Sequence, residues 1–421
     1  MPEIPADYVI IGGGVAGGHA IYAIRKYDKA GRLVVIGRED QFPYDRPPLS
    51  KEYLAGGKER HEIFFRADSY YRRNNVEFIK GSSVKTIDTP NRMVIFDDRR
   101  ELTYKTLLIA TGGRVRRLEV PGSDLEGIHY LRTIEECDRI REVAAKSNKV
   151  VIVGGGFIGC EVAATLRGRG LKVTLIHKSP QLLSAAVDAE TARWIQEYHS
   201  EKGVDVLLNA NVTKFAGNAG KVEAVELGSG RSIAADFVVV GIGIIPETEI
   251  AENAGLKIDE GVLVNEYLET SVEGVFAAGD IARFYSPLLR RSLRLEHVDV
   301  AQKQGKTAGM NMTGQKLPFA DLPYFFSNQY DLEINAYGDL SRHTEIVRRG
   351  KLDAGTGFIQ FYFEGRMLNG ILTVNADWKD IEKAKALLEM RKEFLHTSIL
   401  SDETKALSSI IKTRASGEDG Q

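Results

Sequence analysis

The chain has 421 residues, of which 43% are hydrophobic, with 56 basic against 58 acidic side chains and a net charge of −2. That is too apolar for a disordered chain and long enough for about two to three domains. The balanced charge gives no signal for nucleic acid or an anionic membrane, and no apolar run reaches the roughly 18 residues that a membrane helix needs. Strand pattern begins by about Asp7, so no removable signal peptide is expected. The two cysteines, Cys137 and Cys160, argue against a disulfide framework and for a cytoplasmic location.

In chain order, the first segment is Asp7 to Lys26, an apolar strand, a glycine turn and an amphipathic helix. Gly12, Gly14 and Gly17 form the turn, with Ala16 inside it. The first glycine of such a turn permits the bend, the second lets a pyrophosphate approach the backbone, and the third lets helix and strand pack closely. The helix N-terminus then faces the phosphate charge. A second strand, "RLVVIGRED", ends at Glu39, whose carboxylate can accept from ribose hydroxyls. The loop "PYDRPPLSKEYL" follows, with three prolines that predict turns rather than helix and two cations, Arg46 and Lys51. Short alternating segments of hairpin character come next, beginning at Val76, and a buried strand then meets glycine at "ATGG".

The chain then repeats itself. Asn148 to Gly170 restates strand, glycine turn and helix, with Gly154, Gly156 and Gly159 as its fingerprint. Its second strand ends in "LIHKSP", where His177 and Lys178 stand in place of an acid. A carboxylate there favours a free ribose 2′-hydroxyl, and a cation a 2′-phosphate, so a weak preference for NADPH is expected. Another hairpin-like stretch and a buried strand ending at Gly241 and Gly243 complete the second copy. A strand ending in Gly279 and Asp280 and a helix-like segment from His297 read as a return to the first domain. From about Pro318 the pattern alternates like antiparallel strands and ends in two helical segments, with a frayed tail from Ala415. The expected fold is α/β: two doubly wound, Rossmann-like nucleotide-binding domains plus a C-terminal α+β domain. The expected boundaries are 1–119 with 246–317, then 120–245, then 318–421.

These motifs together resemble the FAD-dependent pyridine nucleotide-disulfide oxidoreductase superfamily, with a glutathione-reductase-like fold. The proline loop resembles that of its ferredoxin and rubredoxin reductase branch, which also contains apoptosis-inducing factor. The resemblance implies FAD in the first domain and NAD(P)H in the second. It places Val84, Ala110, Thr111, Gly112, Gly279, Asp280, Glu296, His297, Val298 and Phe326 around FAD, with Arg46 at its phosphates or supporting the loop. It places Phe157, Ile158, Gly241 and Gly243 at NAD(P)H, and it pairs Lys51 with Glu161 where the two cofactors meet. A cation near the ring would favour its reduced, electron-rich form. His297 reads equally well as a plain helix cap. Where the reductases carry a tryptophan and an acid, this chain has Phe326 and Asn328.

No cysteine precedes Cys137, so a dithiol beside the flavin is excluded. Cys137 reads as an inert residue on a polar helix face, and Cys160 as packing. No metal site is expected. The expected function is transfer of a hydride from NAD(P)H to FAD and then of electrons to an acceptor, a ferredoxin or rubredoxin. Basic stretches at "YYRRNN", "GGRVRR" and "SPLLRRSLR" could dock an acidic iron-sulfur protein or be plain solvated loops. The alternatives are a redox sensor like apoptosis-inducing factor, with a long-lived reduced-flavin complex and a change of oligomeric state, or a reductase of quinones or other small acceptors; under any of these readings the chain could form a homodimer.

Overall fold

The computed structural model describes residues 5–184 and 186–416, with side chains to Ile411. Most of the tail expected to fray lies outside the described residues. The chain groups into two compact units. One comprises residues up to Pro47, Glu59–Arg114 and Ile244–Asp321; the other comprises Pro48–Lys58, Val115–Gly243 and the chain from Leu322.

The first elements are β1 (Ala6–Ile11), α1 (Val15–Tyr27), β2 (Leu33–Ile36), β3 (Val76–Ile79), β4 (Val84–Asp88), β5 (Met93–Phe96) and β6 (Glu101–Ile109). Then come β7 (Ile128–Tyr130), α2 (Ile134–Ala144), β8 (Lys149–Val153), α3 (Phe157–Gly168), β9 (Lys172–Ile176), α4 (Ala189–Glu201) and β10 (Asp205–Leu207). These lead to β11 (Val212–Asn218), β12 (Lys221–Leu227), β13 (Ser232–Ala234), β14 (Phe237–Val240), β15 (Val275–Ala277) and α5 (Val298–Met312). The last are β16 (Tyr324–Gln329), β17 (Leu332–Gly338), β18 (Glu345–Gly350), β19 (Phe358–Glu364), β20 (Met367–Val374), α6 (Trp378–Glu389) and α7 (Leu407–Ser416).

In the first unit the parallel strands run β3-β2-β1-β6-β15. Strand β6 is long enough to serve twice: its last residues join this sheet and its first pair antiparallel with β5. One face of the sheet, with Ile10, Val35 and Leu108, is covered by α1 and α5. The other, with Val9, Val34 and Leu107, packs against β4, β5 and the helix Glu249–Asn253. Apolar residues on both faces are what a covered parallel sheet requires. Helix α5 lies close on α1, since a Cβ at Gly305 would stand 2.1 Å from the Ala16 carbonyl oxygen.

The second unit repeats the order as β10-β9-β8-β14-β7, all parallel. The duplicated sequence has become a duplicated sheet, except that the outer strand beside β14 precedes the copy instead of following it. The hairpin reading holds for β4–β5 and β11–β12, which are antiparallel. It fails for β3 and β10, which are parallel edge strands. The C-terminal sheet of this unit is antiparallel, β16-β17-β20-β19-β18, with α6 and α7 packed through Ile381, Leu387, Leu388, Leu407 and Ile410.

Candidate functional site

The two glycine turns have matching geometry. Gly12 and Gly154 adopt φ of +115° and +117°, which a side chain would strain. A Cβ on Gly17 or Gly159 would lie 2.0 or 1.8 Å from the carbonyl oxygen of the first glycine, so the helix can approach its strand only there without one. At the middle glycine the surroundings are open. A Cβ at Gly156 would meet nothing within 4 Å, and one at Gly14 only the Arg46 guanidinium at 3.9 Å. Gly14 and Gly156 are the N-caps of α1 and α3, with no side-chain cap and no acid in the first turn. Each helix start therefore presents backbone N–H groups to open space, which fits a diphosphate.

In the first unit, Arg46 spans the loop and Glu39. Its guanidinium donates to Glu39 Oε1 at 2.6 Å, and Tyr44 Oη donates to Glu39 Oε2 at 2.5 Å. Ala110 is buried behind Gly12, and the Thr111 hydroxyl and Gly112 carbonyl are held by the Glu247 backbone. Val84 is buried at the start of β4, opposite Phe96. Gly279 packs on Ala16, and its N–H donates to Gln304 Oε1 at 2.9 Å. Gln304 is fully buried, and its Nε2 has no partner among the described residues. An orphaned donor beside Gly279 and Asp280 fits an oxygen-rich ligand there. Nothing in the pattern of α5 distinguished Gln304 from a surface glutamine. Glu296 is exposed and pairs with Arg294, whose guanidinium also donates to the Asp280 carbonyl. His297 is the N-cap of α5 but makes no side-chain capping bond, and Val298 opens the helix. Burial lowers the His297 pKa to about 4 against the pull of Asp280. These residues fit FAD.

The proline loop, which belongs to the second unit from Pro48 onward, is a short 3-10 helix, Pro47–Ser50, and one helical turn, Glu52–Ala55, rather than turns alone. Proline is tolerated there because the start of a helix needs no N–H donor. The segment is anchored within the unit by four side chains: Cys137 Sγ on the Leu49 carbonyl, Thr165 Oγ1 on that of Ser50, Arg169 on that of Leu54, and Asp138 accepting from Tyr53 Oη. This places Lys51 Nζ 2.7 Å from Glu161 Oε2, with the side chains only 9% and 3% exposed. Ser50 Oγ donates to the same oxygen at 2.5 Å, and Ser327 Oγ to Glu161 Oε1 at 2.7 Å. The Phe326 ring lies 5.6 Å from Lys51 Nζ, a cation–π distance. Lys51, Phe326 and Glu161 are thus brought together. Ser50, Ser327 and Gln329 were missed; the two-residue spacing of Ser327 and Gln329 on one face of a strand was the available signal.

Phe157 meets Phe325 with ring centroids 5.0 Å apart, and Ile158 beside it is 43% exposed at the opening of α3. Gly241 lies against the Gly159 backbone, and Gly243 has open surroundings. An exposed isoleucine beside an open glycine turn fits a nucleotide. His177 differs from its reading as a cation. Its Nδ1 accepts the Gly155 N–H at 3.1 Å, and burial, with Lys178 nearby, lowers its pKa. The ring is held neutral, and only Lys178, which is exposed, carries charge at that strand end. Cys137 also differs: it is fully buried on the inner stripe of α2, not on a polar face. Burial pushes its thiol up to about 12 and raises that of Cys160 as well. Among the described residues no cluster of three histidines, cysteines or acids could hold a metal.

Residues 6–305 match the model of the pyridine nucleotide-disulphide oxidoreductase family, and residues 324–411 match that of the reductase C-terminal domain. The chain belongs to the pyridine nucleotide-disulphide oxidoreductase family. Membership makes it an FAD-dependent oxidoreductase that uses NAD(P)H. It is similar to rhodocoxin reductase of Rhodococcus erythropolis, 36% identical over 87% of this chain and 86% of that protein. It is similar also to a ferredoxin–NAD(P)(+) reductase of Sphingomonas, 35% identical over 93% and 94%. Among solved structures, the covalent putidaredoxin reductase–putidaredoxin complex matches with a TM-score of 0.92 and 32% identity, over 99% of this chain and all of that one. No helix among the described residues is long and apolar enough to cross a membrane.

Proposed function

We propose that the protein draws a hydride from NAD(P)H onto FAD and passes the electrons singly to a ferredoxin or rubredoxin. The observation that carries this reading is the buried Lys51–Glu161 pair in a chain with two open glycine turns. When bound, FAD accepts the hydride and releases electrons one at a time. Lys51 supplies a fixed cation that favours the electron-rich reduced form, and Glu161 is the buried counter-ion that holds it in place. The Gly14 and Gly156 turns hold the two diphosphates through backbone N–H groups. Phe157 and Ile158 provide the apolar surface for the nicotinamide end. The His297-capped start of α5 stabilises negative charge on the flavin. Both thiols are buried and protonated, so electrons leave without a dithiol step.

The names of the reductase relatives support the acceptor, and exposed Arg72, Arg73 and Arg290 support docking of an acidic protein. Two buried free thiols support a reducing, cytoplasmic setting. A preference for NADPH rests on Lys178 alone, because His177 is neutral. Lys178→Glu should then lower kcat/KM for NADPH and leave that for NADH within about twofold.

The experiment is reduction of an added ferredoxin or rubredoxin under NADH and NADPH, followed anaerobically at the acceptor's own absorbance. Rapid turnover supports the reading. A flavin that stays reduced, with a persistent charge-transfer band and no transfer to either acceptor, would favour the redox sensor.

A further inference from the structure

Glu161 sits at the end of a longer buried chain of hydrogen bonds. Gln329 Nε2 donates to Ser327 Oγ at 3.1 Å, and His199 Nε2 lies 2.8 Å from Gln329 Oε1. His199, Gln329 and Ser327 are all fully buried. His199 belongs to the last turn of α4, whereas Ser327 and Gln329 share one face of β16.

The direction of every bond follows from the chemistry of the groups. The Gln329 amide nitrogen can only donate, so Ser327 Oγ accepts from it and spends its own proton on Glu161 Oε1. The Gln329 amide oxygen can only accept, so His199 Nε2 carries the hydrogen. Its Nδ1 then holds a lone pair, and it has no partner among the described residues. Burial lowers the His199 pKa, consistent with a neutral ring. All donors therefore point one way, from His199 to the carboxylate, where they meet Ser50 and Lys51 arriving from the other side. A chain of this kind fixes the rotamers of its members, because turning any one of them leaves a buried polar group unsatisfied.

We propose that His199 is a positioning residue: through Gln329 and Ser327 it holds the Glu161 carboxylate, and so the Lys51 ammonium, in the orientation used for flavin reduction. The proposal rests on the functional reading of Lys51 and Glu161.

The test is a double-mutant cycle on the FAD-loaded protein. His199→Leu should lower the limiting rate of flavin reduction by NADH about tenfold and leave KM for NADH unchanged. The midpoint potential of the bound flavin should fall in step, about 30 mV for a tenfold change in a two-electron couple. His199→Gln, whose amide can still donate to Gln329, should restore both to within about twofold. In a Ser327→Ala background, where the chain is already cut, His199→Leu should change neither. Should His199→Leu fail to fold, Gln329→Met replaces it in the same cycle. Additive effects in the Ser327→Ala background, or a wild-type rate and potential in His199→Leu, would overturn the proposal. Lys51→Ala separates the two levels: if it too is without effect, the reading of the site is wrong, and if it alone slows reduction, only the role of His199 is.

Discussion

Lys51 Nζ donates to Glu161 Oε2 at 2.7 Å, although 110 residues separate the two in the chain. Both side chains are almost entirely buried, and Glu161 also accepts from Ser50 and Ser327. Removing one partner of such a pair leaves the other charge buried without compensation. Lys51→Met should therefore cost about 3–5 kcal/mol in stability, read as a lowered urea midpoint. The double variant Lys51→Met/Glu161→Gln should recover most of that loss. In flavin reduction the double variant should stay slow, because recovery of the fold does not return the cation.

The two glycine turns separate a structural effect from a binding effect. Gly12→Ala places a Cβ 2.1 Å from the Ala110 carbonyl oxygen in a left-handed backbone, and should cost about 3 kcal/mol or more and reduce FAD retention. Gly156→Ala meets no atom of the chain within 4 Å and sits in extended backbone. It should fold with an unchanged thermal midpoint yet raise KM for the nucleotide about tenfold, if the added methyl stands in the path we propose for the diphosphate. Thermal melts and steady-state kinetics on the two variants check both statements.

Cysteine chemistry should be silent. Cys137 is fully buried, and burial pushes its thiol up to about 12, so at pH 8 it stays protonated. Incubation of the native protein with iodoacetamide should leave both cysteines unmodified by mass spectrometry and the rate of flavin reduction intact. In urea both should react.

The fold was legible where a long apolar pattern met glycine. The strand-turn-helix units at Gly12 and Gly154 are duplicated in the sequence, and the sheets reproduce that duplication. Strands β3 and β10 were misread because each is short and only partly buried, and so lacks the continuous apolar run that marks an inner strand of a parallel sheet. Cys137 shares a face with Ile134, Ile140 and Ala144, a helical spacing present in the sequence but masked by the charged residues between them. The neutral state of His177 depends on one backbone N–H, that of Gly155, and no sequence pattern reports a ring's orientation. Ser327, Gln329 and His199 escaped for a related reason: each is an ordinary polar residue until the fold buries it.

Acid should weaken the protein through the half-buried His297. The His297 pKa lies near 4 in the fold, because burial disfavours the charged ring, against about 6.5 for an unfolded histidine. The unfolded chain therefore takes up the proton first as pH falls. Stability from this group is fully present above about 6.5 and is lost as pH drops toward 4. His297→Asn should flatten the dependence of the urea midpoint on pH between 6.5 and 4 and leave it unchanged at pH 8.

Hydride transfer between two nucleotide sites should make the bound flavin reducible by the nucleotide. Anaerobic titration of the purified protein with NADH, and separately with NADPH, tests it most directly. We expect the protein to carry FAD and its flavin absorbance to bleach with about one equivalent of reduced nucleotide. Protein that purifies without flavin and does not take it up, or flavin that neither nucleotide bleaches, would contradict the account.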